Sequence, residues 1–188
     1  MKKISEKEFI NLALEIGLLK NVIRTGWAVK GVKNPESVAD HTWRMAILAL
    51  VLAPQLNVDR DKLVRMTLIH DLGEAFAGDI RWEKGKTVFG SQEEKHKKEK
   101  KGMDKMFADN PSFQEYLDLW QEFVDQETKE AKALKWIDKL ETLIQAYEYE
   151  KLGLNTGPLQ EFWDNVEKYL KGSELKSYMD ELKKLRKK

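Results

Sequence analysis

The sequence predicts an all-α fold, a compact helical bundle, on three observations. Apolar residues recur at three- and four-residue spacing along most of the chain, strand-like alternation is confined to a few residues near Thr87 to Phe89, and helix-start signals precede several of the periodic runs. At 188 residues the chain suits one domain with a sizeable core. It carries no internal repeat and no low-complexity linker that would divide it.

The first helix is expected from about Glu6 to Leu19, with Phe9, Leu12, Ala13, Ile16 and Leu19 along one side. A long glycine-containing connector, "LKNVIRTGWAVKGVKNPE", follows it. Pro35 and Ser37, with Asp40 three residues later, mark the next helix start. That helix continues to about Leu52 on a stripe of Val38, Met45, Leu48, Ala49 and Leu52, and His41 falls on the same stripe, pointing inward. Asp59 caps a third helix through Leu63, Met66 and Ile69, loosened near its end by Gly73. After a polar stretch with turn signals at Gly85 and Gly90, the run "EEKHKKEKKGMDKMF" reads as a charged helix with a solvated face that includes His96. Asn110-Pro111 makes a break before helices at Ser112 to Val124 and Lys129 to Lys151. The second of these buries Ile137, Leu140, Leu143, Ile144 and Tyr147 and carries Asp138 at the margin of the stripe. A last amphipathic element spans Gln160 to Leu170, and the tail "ELKKLRKK" is expected to fray.

Composition narrows the functional classes. Lys and Arg number 33 against 32 Asp and Glu, so a net charge of +1 gives no global reason to expect a nucleic-acid polymer or an acidic membrane as partner. The longest apolar run, "MAILALVLA", is far short of a membrane span. Charges at Glu6, Lys7, Glu8 and Glu15 interrupt what a signal peptide would need at the start. The absence of cysteine excludes disulfides, thiolate metal sites and cysteine nucleophiles together, and it fits a cytoplasmic chain. Any metal must be held by nitrogen and oxygen.

The stretch "LIHDLGEAFAGDI" sets His70, Asp71 and Glu74 within an arc of roughly 100 degrees if it is helical, so the three can face one point. Burying a neutral polar group unpaired costs roughly 2 to 7 kcal/mol, and a charge more. A divalent cation would offset that, and imidazole with carboxylate suits zinc, manganese, iron, cobalt or nickel. Further ligands must come from elsewhere, and the inward His41 and the marginal Asp138 are the best candidates. Each residue also has a plainer reading: a core histidine bonded to a carbonyl for His41, pairing with Lys135 or Lys139 for Asp138, and an ion pair at a helix end for Glu74.

The order His41, His70-Asp71, Asp138 resembles the HD-domain superfamily of metal-dependent phosphohydrolases. "RTGWAVKGVKNPESVADHTWRMA", "IHDLGEAFAGDI" and "ALKWIDKLETLIQA" narrow this to the 5'-deoxynucleotidase branch, of the HD-domain-containing protein 2 type, over roughly Ile4 to Leu170. The resemblance implies a single HD domain over residues 1–188, with its core at about 4–170, and one divalent metal cation (cobalt, manganese, zinc, nickel, iron or magnesium) on His41, His70, Asp71 and Asp138. It implies a nucleoside 5'-monophosphate substrate, with Glu74 and Arg24 in the catalytic roles. Substrate contacts would come from Arg24, Trp27, His41 and Asp79. It also implies a homodimer. One departure stands out: bacterial members place the phosphate-orienting arginine directly before the tryptophan, where this chain has Gly26, so Arg24 is expected to supply the charge from three residues away. The alternatives are another phosphohydrolase of the same type, acting on cyclic nucleotides or nucleoside polyphosphates, or a catalytically weak protein that binds metal or nucleotide.

Overall fold

The computed structural model describes residues 4–79, 92–107, 110–153 and 156–187, and every regular element among them is a helix. The Thr87 to Phe89 alternation and the turn signals at Gly85 and Gly90 lie outside the described residues. In order the helices are α1 (Glu6–Gly17), α2 (Thr25–Ala28), α3 (Val38–Leu56), α4 (Arg60–Ile69), α5 (Glu74–Ala77), α6 (Gln92–Phe107), α7 (Gln114–Asp125), α8 (Lys129–Lys151), α9 (Thr156–Leu170) and α10 (Lys176–Arg186). Their starts follow from local chemistry. The hydroxyls of Ser37 and Thr128 and the carboxylate of Asp59 each accept an otherwise orphaned backbone N–H, and at Ser37 the Asp40 side chain closes a full capping box.

The spine is α8, about 35 Å long by its 23 residues. Leu134, Ile137, Leu140, Leu143 and Ala146 join the main core with Met45, Ala49 and Leu52 of α3 and Leu63 and Met66 of α4. A second, smaller core gathers Val38, Ile69, Leu72, Met103, Phe107 and Trp120. Beside its apolar side, α8 also buries Asp138, Glu141, Thr142 and Gln145, a polar stripe at i, i+3, i+4 and i+7. That stripe faces the site.

Three features position the site. Val38 donates its N–H to Val22 O at 2.8 Å and Arg24 to Glu36 O at 3.0 Å, so the connector between α1 and α3 folds back as a bridge and brings Arg24 and Trp27 beside the start of α3. The chain does not run on as helix through the His-Asp pair. Instead, His70 caps α4 and residues 70–73 form a turn leading into α5, because Gly73 lets a neighbouring backbone approach too closely for any side chain. A Cβ on Gly73 would lie 2.4 Å from Glu99 O, and one on Gly102 would lie 2.4 Å from Gly73 O. This glycine-to-glycine crossing docks α6 against the turn.

Two expectations are corrected. Although α1 forms as expected, it buries no residue, and Phe9 is 57% exposed; of the expected stripe only Leu19, just past the helix, is buried. Periodicity made the helix amphipathic, but among its apolar side chains only the half-buried Leu12 packs against the second core. Nor does the tail fray: α10 buries Met179 and carries Arg186 onto Glu150 Oε1 and Oε2 through two hydrogen bonds of 2.8 Å, with its guanidinium 4.5 Å from the Trp163 ring. An apolar anchor and a bidentate pair outweigh the charge repulsion within the tail.

Candidate active site

His41 on α3 and His70 at the end of α4 are both buried, with ring centroids 6.1 Å apart. His70 donates from Nδ1 to Thr67 O at 2.7 Å, a bond set up by the helical turn before it. The Nδ1 of His41 meets Glu141 Oε2 at 2.5 Å. In both rings the remaining nitrogen, Nε2, is buried and makes no well-aligned hydrogen bond, although that of His70 stands 3.1 Å from Asp71 Oδ2. One donor atom each from His41, His70 and Asp71 lie within 4.8 Å of one another, and Asp138 Oδ1 is 3.6 Å from His41 Nε2. Two buried imidazole nitrogens facing two carboxylates, all with little access to water, form a donor set that a divalent cation fits.

Electrostatics favour charge where a cation needs it. Burial pushes the Asp138 carboxyl up, but Lys139 at 3.0 Å and Lys135 at 3.7 Å, with His41 and Arg24, hold it well below the usual carboxylate range. For Asp71, burial is likewise overcome, chiefly by His70, then by Lys95. The lysine pairing that a plainer reading gave Asp138 is thus present alongside its approach to His41. Glu74 behaves oppositely. Burial and the Asp71 charge push it well above its ordinary value although Lys95 donates to Oε1 at 3.0 Å, and its Oε2 has no partner. Burial and neighbouring Lys139 lower Lys135 to about 8.

Arg24, Trp27, His70, Asp71, Asp79 and Asp138 line one pocket. The Arg24 guanidinium stands 3.9 Å from Asp71 Oδ2, and Asp79, Asp138, Glu36 and Asp71 more than offset the burial that would lower its pKa. At Gly26 a Cβ would lie 3.3 Å from the Phe162 ring, so a side chain there would press on the aromatic wall and require it to give by a few tenths of an ångström. Trp27 is 1% exposed, packs on Phe162 with centroids 4.2 Å apart and donates from Nε1 to Glu36 Oε1 at 2.9 Å. Asp79 accepts the Thr25 N–H through Oδ2, and its carbonyl accepts the Thr25 hydroxyl, so it also fastens α2.

The structure therefore brings together His41, His70, Asp71 and Asp138, with Glu74, Arg24, Trp27 and Asp79 around them. His96 departs from the solvated face expected of it: it lines the same pocket, and burial lowers its pKa. Sequence reasoning missed Lys95 and Glu99, hidden in a charge run that looked solvated, and it missed Glu36 and Glu141. Glu141 had a signal, its position one helical turn after Asp138.

A family model for the HD domain matches residues 16–176, and the chain belongs to the HD domain family. Within it, the chain is similar to 5'-deoxynucleotidase HDDC2 of Xenopus laevis, 39% identical over 163 residues that cover 85% of this chain and 78% of that protein. Among solved structures it is similar to a conserved hypothetical protein from Pyrococcus furiosus, with a TM-score of 0.73 and 35% identity over 93% of this chain and 99% of that one. A predicted metal-dependent phosphohydrolase from Magnetospirillum magnetotacticum MS-1 also matches, with a TM-score of 0.68 and 27% identity over 96% of this chain and 91% of that one.

Proposed function

We propose that this protein is a metal-dependent 5'-nucleotidase that hydrolyses deoxynucleoside or ribonucleoside 5'-monophosphates to nucleoside and phosphate. One observation carries the reading: two buried imidazole nitrogens face Asp71 at 3.1 Å and Asp138 at 3.6 Å beside a pocket that also holds Arg24. The similarity to proteins named 5'-deoxynucleotidase supports it. His41, His70, Asp71 and Asp138 would hold one divalent cation such as manganese, cobalt, nickel, iron or zinc. Such an ion lowers the pKa of a coordinated water to about 7 and draws electron density from a phosphate oxygen.

The remaining steps fall to the chain's own groups. Arg24, permanently charged, offers its fork of N–H donors to the non-bridging phosphate oxygens and stabilises the charge that gathers there in the transition state. Glu74, buried beside the His70-Asp71 turn and held by Lys95, would position the attacking water or handle its proton. Lys95 fixes the rotamer of Glu74. Asp79 presents a carboxylate to a sugar hydroxyl, and Trp27 with Phe162 forms the apolar wall beside the sugar.

A phosphate-release matrix of divalent metals against ribo- and deoxynucleoside monophosphates tests the proposal, with release from deoxynucleoside monophosphates expected. No release from any of them by metal-loaded protein would sink it. A homodimer belongs to the same proposal. It is supported by the outward stripe of α3, where Trp43, Ile47, Leu50 and Val51 are 45–67% exposed at helical spacing. Ile47→Glu should shift a dimer to monomer in sedimentation; wild-type particles of 21.9 kDa alone would refute it. No described helix is long and apolar enough to cross a membrane, and the cysteine-free sequence supports a cytoplasmic location.

A further inference from the structure

We infer that Glu141 is a positioning residue for the metal centre, its carboxylate holding His41 in the tautomer whose Nε2 lone pair faces the cation. The inference rests on the reading of His41 as a ligand. Two groups of side chains around this ring have donor atoms close enough to share an ion: His41 with His70 and Asp71, and His41 with Glu36 and Glu141. A neutral imidazole carries one lone pair and one N–H, so His41 can coordinate toward only one group and must donate toward the other.

Geometry decides which. The Nε2 side meets Asp138 and the pocket that His70 and Asp71 line. The Nδ1 side ends on Glu141, which is 0% exposed and stands 2.5 Å away. Nδ1 therefore carries the proton and Glu141 accepts it. Free imidazole side chains favour the opposite tautomer, with the proton on Nε2, which would aim an N–H at the cation. Glu141 reverses that preference, as carboxylates behind metal-bound histidines do.

The other carboxylate oxygen, Oε1, makes no hydrogen bond but faces a guanidinium. Arg44, one helical turn after His41 on α3, sets Nε 3.5 Å from Glu141 Oε1, donates to Glu148 Oε2 at 2.8 Å and also bonds Gln145. Asp138, Glu141, Gln145 and Glu148 follow one another along α8, so a single helix supplies a candidate ligand for one nitrogen of His41 and the acceptor for the other. Gln145 and Glu148 steady Arg44.

Two measurements test the inference. The chain has only three histidines, so long-range proton–nitrogen correlation spectra of the metal-free wild type resolve each ring; His41 is expected with its proton on Nδ1. In the second, dissociation constants for Mn²⁺ and Co²⁺ are measured by chelator competition on wild type and Glu141→Gln, with the melting temperature of the metal-free forms alongside. A glutamine amide can donate to Nδ1 and stabilise the wrong tautomer. Affinity should therefore weaken roughly 10- to 100-fold while the metal-free melting temperature does not fall. A proton found on Nε2 in the wild type overturns the inference whether or not the variant folds. So does unchanged affinity in Glu141→Gln, or a loss of affinity matched by a collapse in melting temperature. Wild type that binds neither metal defeats instead the ligand reading on which the inference stands.

Discussion

Replacing Gly102 with alanine should separate α6 from the His-Asp turn and so test whether that helix serves the chemistry. The new Cβ would sit 2.4 Å from Gly73 O, where ordinary contact begins at 3.4 Å, so the two backbones must part by about 1 Å. Overpacking of this kind costs about 1 to 3 kcal/mol. Removing a glycine from a helix interior returns about 1 kcal/mol. The net loss of up to about 2 kcal/mol corresponds to a fall in melting temperature of no more than about 8 °C for a chain of this size. Turnover should suffer far more. Lys95 reaches Glu74 at 3.0 Å from α6, and an added ångström takes that contact past hydrogen-bond range, releasing Glu74 from its set rotamer. We expect kcat for phosphate release to drop roughly tenfold or more. Metal affinity should fall less than turnover, since His41 and Asp138 lie on α3 and α8, away from the clash, and only His70 and Asp71 lie on the turn that is pushed. Calorimetry, a phosphate-release assay and metal titration on one preparation separate these effects. A variant that melts higher than wild type and turns over normally would show that helix propensity outweighs the clash and that α6 has no part in placing Glu74.

Further outcomes are expected. Asp71→Ala should lose both bound metal and activity in a metal assay paired with phosphate release, whereas Glu74→Ala should keep its metal and lose turnover; normal turnover in the latter refutes the role given to Glu74. Burial and Asp71 raise folded Glu74 above its ordinary value of 4.5, so the unfolded chain releases that proton first, and wild-type stability is eroded as pH climbs from 4.5 through the folded pKa. Urea denaturation of metal-free Glu74→Gln should therefore match wild type at pH 4 and exceed it increasingly toward pH 8, with a constant difference counting against the burial argument. Arg186→Ala, which strips Glu150 of its bidentate partner and Trp163 of its cation, should cost about 1 to 3 kcal/mol in a thermal melt. Adding Mn²⁺ at 100 times its dissociation constant should stabilise the protein by about 2.7 kcal/mol, reversibly with chelator.

Much of the fold is legible because its signals are local. Ser37 with Asp40, Asp59 and Thr128 announce helix starts by chemistry contained within one turn. The inward reading of His41 needs only the period of its neighbours. What escaped depends on contacts distant in sequence. Lys95 looks solvated until Gly73 and Gly102, 29 positions apart, bring two backbones together. The face of α1 looks buried because periodicity reports a helix's two-sidedness and says nothing of whether anything packs on it. Basic residues made the tail look frayed, and Glu150, 36 residues upstream of Arg186, reverses that. Residues 70, 71 and 74 do come close, although through a turn where a helix only loosened near its end by Gly73 was expected, because the near approach of α6 selects Gly73 and breaks the run. Glu141 was within reach of pattern reasoning, had the buried side of α8 been read for polar as well as apolar periodicity.

The anchoring of α10 matters for how this chain is handled. Arg186 clamps Glu150 and covers Trp163, and the neighbour of Trp163, Phe162, is the ring that packs on Trp27 in the wall of the pocket. A tag or fusion attached after Lys188 therefore pulls on a brace two side chains removed from the substrate, and a label placed there would report on the site as well as on the tail. By contrast α1 fully buries none of its residues and touches only the second core, through Leu12. For immobilisation, fusion or force spectroscopy, the amino-terminal end is the handle that leaves the pocket wall undisturbed.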